Sequence, residues 1–256
     1  MIQSATGGVT ACVIARDEEH HLPEVLPTLR WADEVLVVVN TETTDRSAEV
    51  ARKYADRVEV RPFSSFPVYR NTALDLAHCA WVFFVDADER VSAELAAEVQ
   101  RVLAAEVNTQ DRTAGWWIPR RNVIFGHTMQ GAGWFPDYQL RLLKRCRARY
   151  DESRPVHEVV ELRGPSGHLT TPLLHLNYQS LGQFVHKQRR YTSFEARELL
   201  AKEGRPSHRA LAGRPAREFW RRYVALAGWR DGWVGLFLCA AMAFYAFERV
   251  RQARAL

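Results

Sequence analysis

The stretch Trp81-Val-Phe-Phe-Val-Asp-Ala-Asp-Glu89 decides the fold class of this 256-residue chain. Its first five residues are uninterrupted and apolar, as in a strand that is buried on both faces of a parallel sheet. Three carboxylates follow at once and predict that the strand ends in a polar loop. Because Asp86 and Asp88 are two residues apart, both carboxylates can turn toward one point. Mg²⁺ and Mn²⁺ prefer oxygen ligands, so this pair is a candidate metal site.

Comparable apolar runs lie upstream of this stretch. Strands are predicted at residues 9–15, 34–39 and 58–60, and helical patterns at about 20–30, 45–54, 68–78 and 92–104. Alternating strands and helices at this spacing are typical of an α/β fold with a mostly parallel sheet covered on both faces. Ligands bind beyond the carboxyl ends of such strands, so the polar segments 16–19, 40–45 and 86–89 are expected to line one crevice.

The character of the sequence changes after about residue 113. Aromatic residues, glycine and proline dominate residues 116–136, and short strand patterns follow. From about residue 180 the pattern is helical and basic. We therefore predict an α/β domain at residues 1–180 and a basic, partly apolar helical extension at residues 181–256.

The positive charge belongs to the last third of the chain. The net charge is +5, yet residues 182–256 hold 15 Lys or Arg and 6 Asp or Glu, and the remainder is net negative. This distribution argues against a nucleic-acid-binding protein and fits a globular body whose cationic part meets an anionic surface. Four scattered cysteines without a CxxC pair, and no signal-peptide pattern, predict a reduced protein in the cytoplasm.

Several segments resemble family 2 glycosyltransferases. VIARDEEHHLPEVLPTLRWADEVLVVVNTETTDRSAEVARKYADRVEV, from residue 13, is similar to the first half of that family, and YRNTALDLAHCAWVFFVDADERV, from residue 69, continues it. Three later segments resemble a narrower subgroup of that family, the lipopolysaccharide-core β-1,4-glucosyltransferases. These segments are RRNVIFGHTMQGAGWFPDYQLRLLKR, RPVHEVVE and LLHLNYQSLGQFVHKQRRYTSFEA. The order and spacing of these segments make the resemblance specific.

The resemblance implies a GT-A fold and an inverting transfer of a sugar from a nucleotide donor, usually UDP-linked, with one divalent metal, Mg²⁺ or Mn²⁺. Transferred motif by motif, the nucleotide-sugar site comprises Arg16, Glu18, Asn40, Asp45, Arg70, Asn71 and Asp86. The resemblance implies that Asp88 holds the metal and that Asp86 contacts the ribose or the metal, with His157 as a further candidate ligand that could instead pack against the sheet. Asn40 stands where the family usually has Asp.

An inverting transfer also needs a base that deprotonates the acceptor hydroxyl. The family uses the Asp of an "ED" element before "xxLxxR", which corresponds here to Asp137, although Pro136 replaces the Glu. Glu158 is the alternative base, and Asp137 could instead be a turn residue. Arg141 could order the loop or contact a phosphate. Trp134, in a loop, is the candidate ring for stacking on an acceptor sugar.

Residues 232–247 contain no charged side chain, but their 16 residues fall short of the about 20 that a membrane span needs. Arginines and aromatic residues at 214–230 suit anionic lipid headgroups. The apolar stretch could insert at the membrane surface, pack on the protein body or form a homodimer interface. We expect a peripheral protein on the inner face of the cytoplasmic membrane.

The expected function is metal-dependent transfer of a hexose to a lipopolysaccharide-core or other lipid-linked glycan. Two alternatives stay open. A sugar nucleotidyltransferase would need a glycine-rich, basic loop after the first strand, where this chain has ARDEEH at residues 15–20. A catalytically idle scaffold that binds nucleotide-sugar or membrane would not need both the acidic pair and Asp137.

Overall fold

The computed structural model describes residues 8–108, 113–153 and 159–256. The chain forms two compact units. The first unit comprises Met1–Pro119 and Tyr138–His175, and the second comprises Arg120–Asp137 and Leu176–Leu256. Residues 120–137 thus group with the C-terminal helices.

The strands, in chain order, are β1 (Val9–Ala15), β2 (Glu34–Asn40), β3 (Arg57–Arg61), β4 (Trp81–Asp86), β5 (Glu89–Arg90), β6 (Gly115–Ile124), β7 (His127–Thr128), β8 (Asp137–Lys144), β9 (Ala148–Tyr150), β10 (Val160–Leu162), β11 (Ser166–His168) and β12 (Leu173–Tyr178). The α-helices are α1 (Leu22–Val25), α2 (Ser47–Tyr54), α3 (Phe66–Leu76), α4 (Ala93–Asn108), α5 (Leu181–Glu203), α6 (Ala210–Trp220) and α7 (Gly232–Ala255). The predicted helix at 20–30 is one α-helical turn followed by a 3₁₀ helix at Leu26–Leu29.

The main sheet has the strand order β3-β2-β1-β4-β8-β6-β12-β5, and β7 and β11 pair with β6. β1 pairs in parallel with both β2 and β4, with Cys12 opposite Leu36 on one side and Phe84 on the other. β8 runs antiparallel to β4. The predicted α/β fold with a mostly parallel amino-terminal sheet is therefore confirmed.

Alternating residues of the central strands fill two separate cores. Val37, Val13 and Phe83 belong to one cluster, which helices α1, α2 and α4 cover. Residues that point to the opposite face, such as Leu36 and Phe84, pack against α3. Because both faces are buried, both sets of alternating positions in these strands are apolar at residues 35–39 and 81–85, which explains the apolar runs in the sequence.

The second unit is mainly helical. Its core includes Ile124, Tyr178, Phe184 and Leu238. The range Gly228–Ala255 is long and apolar enough to cross a membrane, and 28% of its apolar 18-residue window is buried in the structure. The predicted charge-free stretch 232–247 lies within α7.

Candidate active site

Three polar segments lie at one edge of the sheet in the first unit. They are residues 16–19, 40–45 and 86–89, which follow β1, β2 and β4. These strands are neighbours and run in parallel, so their carboxyl ends meet. The structure therefore places the three polar segments at the same edge of the sheet, as the order of strands and helices predicts.

Hydrogen bonds join the first two segments. The backbone N–H of Glu19 donates to Asp45 Oδ2 over 2.9 Å, and that of Glu18 donates to Ser47 Oγ over 2.7 Å. The backbone N–H of Thr44 donates to Asp17 Oδ1 over 2.7 Å. Burial opposes ionisation of Asp45, but hydrogen bonds from Ser47 and two backbone N–H groups keep its pKa below the usual value. Asp45 is therefore an ionised carboxylate that sets the shape of both loops.

Arg16 and Asn40 occupy different environments in these loops. Asn40 is buried, and its Oδ1 accepts a hydrogen bond from the backbone N–H of Glu42 over 2.9 Å. Arg16 is exposed and lies 3.0 Å from Glu42 Oε2. Glu42 therefore links the two predicted nucleotide-site residues.

Arg141 joins the acidic segment after β4. Its guanidinium donates to both carboxylate oxygens of Asp86, over 3.1 Å to Oδ1, and to Glu89 Oε1 over 2.9 Å. Glu89 is fully buried, and its other oxygen accepts the backbone N–H of Asp86 over 2.8 Å. Burial would lower the pKa of Arg141, but Asp86 and Glu89 raise it, so the guanidinium stays charged. In this structure Arg141 orders the acidic loop.

Arg70 and Asn71 are adjacent on α3 but have separate partners. The Arg70 guanidinium lies 3.5 Å from Asp86 Oδ1 and over the ring of Phe84 at 5.2 Å. Asn71 is buried and bonds both the N–H and the carbonyl of Tyr150, at 2.9 and 3.0 Å. Arg70 therefore contacts the acidic segment, whereas Asn71 holds strand β9 against α3.

Asp88 points to a histidine. Its Oδ2 lies 3.2 Å from Nε2 of His175 on β12, and 28% of the Asp88 side chain is exposed. Within residues 8–108, 113–153 and 159–256, no group of three or more His, Cys, Asp or Glu side chains is arranged to hold a metal ion. The further candidates His157 and Glu158 lie outside the described residues.

Asp137 and Trp134 belong to the second unit. The Arg120 guanidinium holds the Asp137 carboxylate with two hydrogen bonds to Oδ2, at 2.9 and 2.6 Å. Trp134 is partly buried, and its ring packs edge-on against Tyr178 at 6.0 Å. The Arg222 guanidinium lies 5.5 Å from the centre of the Trp134 ring.

Sequence reasoning did not single out Glu89, Arg120 or His175 as members of these clusters. Glu89 carried a signal, because a third carboxylate directly after Asp86 and Asp88 needs a cation if it is buried. Arg120 and His175 lie 17 and 87 residues from their partners Asp137 and Asp88. No local pattern in one sequence reports such distant pairs.

Comparisons with known proteins found a family match within the chain and a relative over most of its length. Residues 10–122, which include all three polar segments, match the family model described as Glycosyl transferase family 2. The chain is 29% identical over 245 residues to the lipopolysaccharide core biosynthesis glycosyltransferase LpsC of Rhizobium meliloti (strain 1021), covering 93% of this chain and 89% of LpsC.

More distant similarities were also found. An uncharacterized glycosyltransferase, RC0292 of Rickettsia conorii (strain ATCC VR-613 / Malish 7), is 23% identical over 267 residues, covering 98% of this chain and 93% of that protein. Among solved structures, S. aureus TarS 1-349 in complex with UDP-GlcNAc aligns with a TM-score of 0.48 at 14% identity, covering 96% of this chain and 83% of that chain.

Proposed function

We propose that this chain, which belongs to glycosyltransferase family 2 and has its GT-A fold, transfers a hexose from a UDP-linked donor to a lipopolysaccharide-core or other lipid-linked glycan, with inversion. The observation that carries the proposal is the meeting of three polar strand ends within the region of the family match. The similarity to LpsC, whose name places it in lipopolysaccharide core biosynthesis, supports the acceptor class.

The donor would bind along the three polar segments. The segment after β1 carries Arg16 and Glu18, which the resemblance assigns to the first nucleotide loop. The segment after β2 carries Asn40 and Asp45, near which the resemblance places the uracil and ribose. Transfer leaves negative charge on the departing diphosphate, and a fixed cation beside it lowers the barrier. Arg70 is the proposed cation, because its guanidinium is at the same edge and 14% of its side chain is exposed. Arg141 would act indirectly, by fixing the Asp86 carboxylate.

A divalent cation, Mg²⁺ or Mn²⁺, is the proposed cofactor, and the surroundings of Asp88 fit one. A partly exposed carboxylate next to an imidazole is a donor pair that Mn²⁺ accepts. Asp88 and His175 are the described residues that would hold the ion, and the resemblance adds Asp86 and His157. When bound, the cation would neutralise charge on the leaving diphosphate.

Asp137 is the proposed base for the acceptor hydroxyl. Ionised, it can accept the proton, and two hydrogen bonds from Arg120 fix its position. Glu158 is retained as the alternative base, and Trp134 as the ring that would contact the acceptor sugar. The part of the Trp134 ring that Tyr178 and Arg222 leave uncovered would make that contact.

The second unit would dock on the anionic inner face of the cytoplasmic membrane. Three tryptophans project from it, with exposed fractions of 60% at Trp220, 57% at Trp229 and 75% at Trp233. Tryptophan favours the membrane–water interface, and the excess positive charge of residues 182–256 complements anionic lipid. A second copy of the chain is the competing occupant of this surface.

Three of the arginines at 214–230 have carboxylate partners: Arg214 pairs with Glu203, and Arg221 and Arg222 pair with Glu218. Their charge is therefore partly neutralised within the unit. The exposed tryptophans become the main contribution to docking.

The test is a panel of nucleotide-sugars with the purified chain, scored for donor hydrolysis and for transfer to lipopolysaccharide core. We expect one UDP-hexose to be used, and its product to have inverted anomeric configuration by NMR. Asp137→Asn should keep donor binding and lose transfer, whereas a matched change at a distant exposed carboxylate, Asp75→Asn, should keep both donor binding and transfer. Donor binding without turnover of any nucleotide-sugar would instead indicate a scaffold.

A further inference from the structure

The second unit contains a pocket that the proposed transfer chemistry does not use. Its volume is about 330 Å³, and its lining residues are Arg121, Thr128, Met129, Gln130, Phe135 and Arg230. The charged members are two arginines, and the remaining polar members are a hydroxyl and a carboxamide, both hydrogen-bond donors. The lining therefore offers positive charge and N–H and O–H donors, and it contains no carboxylate.

Both pocket arginines lie over aromatic rings. The Arg121 guanidinium lies 4.4 Å from the centre of the Phe135 ring, and that of Arg230 lies 5.7 Å from the Trp229 ring. In the described part of the chain neither forms a salt bridge, whereas the neighbouring Arg120 is bound to Asp137. The face of an aromatic ring attracts a guanidinium but does not use up its N–H groups, which stay available for an oxyanion.

The backbone around the pocket is held in place before any ligand binds. Asp231 accepts hydrogen bonds from the backbone N–H groups of Gln130, at 2.7 Å, and Gly131, at 2.9 Å. One residue further, the N–H of Ala132 donates to the carbonyl of Leu226 over 2.7 Å. These bonds join the segment that carries Thr128 and Gln130 to the segment that carries Arg230. A preformed site of this kind spends little binding energy on ordering itself.

Asp231 does not supply the missing counter-charge inside the pocket. Its side chain is fully buried, and the two backbone N–H groups and Nε2 of His127, 3.0 Å away, already engage its oxygens. Arg121 and Arg230 are thus the charged groups that face the pocket.

We propose that this pocket binds an oxyanion, a phosphate or carboxylate group, on the glycan acceptor. The inference rests on the proposed function and deepens it, because it assigns the chemical class of the acceptor. Phe135 lines the pocket, and the proposed base Asp137 follows two residues later at the start of β8. An anion seated between the two arginines would therefore position an acceptor next to the residue that activates its hydroxyl.

The test is calorimetric binding of delipidated lipopolysaccharide-core oligosaccharide to the full chain, with its phosphates intact or removed by hydrogen fluoride. Because the probe has no lipid, an effect cannot come from a membrane headgroup. We expect Arg121→Gln and Arg230→Gln each to weaken binding about tenfold, and the double variant to weaken it further. Arg189→Gln, an exposed arginine on α5 outside the pocket, is the matched control and should bind as wild type.

Loss of affinity on phosphate removal, equal to the loss in the double variant, would identify a phosphate. An unchanged affinity on phosphate removal, with the loss in the variants retained, would identify a carboxylate. A double variant that binds the oligosaccharide as tightly as wild type overturns the inference. Failure of the proposed function is separate, because it would appear as absent sugar transfer by wild type while binding remains measurable.

Discussion

Two fully buried carboxylates, one in each unit, are stabilised in different ways. Glu89 in the first unit faces the Arg141 guanidinium at 2.9 Å, so charge is balanced by charge. Asp231 in the second unit accepts two backbone N–H groups and faces His127. Each lies next to a loop that carries candidate chemistry, yet neither is itself proposed to react.

The difference shows how each unit fixes its functional loop. In the first unit a buried ion-pair cluster sets the direction of Asp86, so removing one member leaves an uncompensated charge. In the second unit the carboxylate organises backbone, so weakening it should loosen the loop without leaving a charge of the opposite sign. Substitutions in the first unit can separate loss of catalysis from loss of stability. Further substitutions can compare stabilisation by a buried ion pair with stabilisation by backbone hydrogen bonds.

The largest effect is expected at Asp88, a partly exposed member of the acidic segment. Asp88→Asn keeps the side-chain shape but removes the charge proposed to hold a cation. We expect sugar transfer to fall by about a thousandfold, with unchanged folding, because several kcal/mol of electrostatic stabilisation would be lost. Turnover measured against Mn²⁺ concentration checks this, with Asp75→Asn as the control. Wild-type transfer by Asp88→Asn would refute the metal assignment.

The next effect concerns support rather than chemistry. Arg141→Met leaves Glu89 buried without its cation, so we expect the free energy of unfolding to fall by about 3–5 kcal/mol. Arg149→Met removes an exposed pair with Asp75, in which the side chains are 51% and 61% exposed, and should cost less than about 1 kcal/mol. Urea unfolding of both variants measures the contrast. Equal losses would show that burial of the Arg141 cluster is unimportant.

The sequence predicted the first unit far better than the second. Residues 81–85 and 35–39 are apolar at every position because both sheet faces are covered, and that constraint is visible locally. The same logic located the polar strand ends, since neighbouring parallel strands must end at one edge. Asp137 was reached through a family resemblance, and its role stays a prediction.

Local patterns could not predict how the second unit is built. Residues 120–137 read as a continuation of the first domain, yet they pack with residues 176–256. The apolar stretch 232–247 contains both buried and exposed side chains within one helix, since Leu238 is fully buried and Trp233 is 75% exposed. The hydropathy of such a helix predicts that its apolar side chains will be buried, but it does not identify the residues that pack against each face.

Substituting Asp231 tests stabilisation by a buried carboxylate that accepts backbone hydrogen bonds. Asp231→Asn keeps one acceptor oxygen but places an NH₂ group opposite a backbone N–H, so we expect a loss of about 2–3 kcal/mol in unfolding free energy. Glu195→Gln, which removes an exposed carboxylate paired with Arg249, is the matched control. Hydrogen exchange at Gln130 and Gly131 should accelerate in Asp231→Asn alone. Unchanged protection there would mean that the carboxylate does not hold the loop.

Glu98 is a carboxylate of the first unit that also accepts hydrogen bonds from backbone N–H groups. Substituting it tests whether such a carboxylate stabilises the first unit as Asp231 is expected to stabilise the second. Burial opposes its ionisation, but hydrogen bonds from Thr171 and Thr170 outweigh burial and lower its pKa from 4.5 to about 2. Its stabilisation is therefore complete above pH 4.5 and is lost as the pH falls toward 2. Glu98→Gln should cost about 1–2 kcal/mol at pH 7.

The pH dependence is the sharper measurement. The difference in unfolding free energy between wild type and Glu98→Gln should shrink as urea unfolding is repeated at pH 7, 4 and 3. Glu49→Gln, an exposed carboxylate paired with Lys53, should show almost no difference at pH 7. A gap for Glu98→Gln that stays constant down to pH 3 would contradict the lowered pKa.

The smallest change in stability is expected at Trp233, on the exposed surface of the second unit. An indole that is 75% exposed contributes little to folding, so Trp233→Ser should leave unfolding free energy within about 0.5 kcal/mol of wild type. Its proposed contribution is to lipid contact, so flotation with phosphatidylglycerol vesicles should drop severalfold. Phe66→Ser, at a 53% exposed ring of the first unit, should leave flotation unchanged. If Trp233→Ser floats normally but sediments as a smaller species than wild type, this surface binds a second copy of the chain instead of lipid.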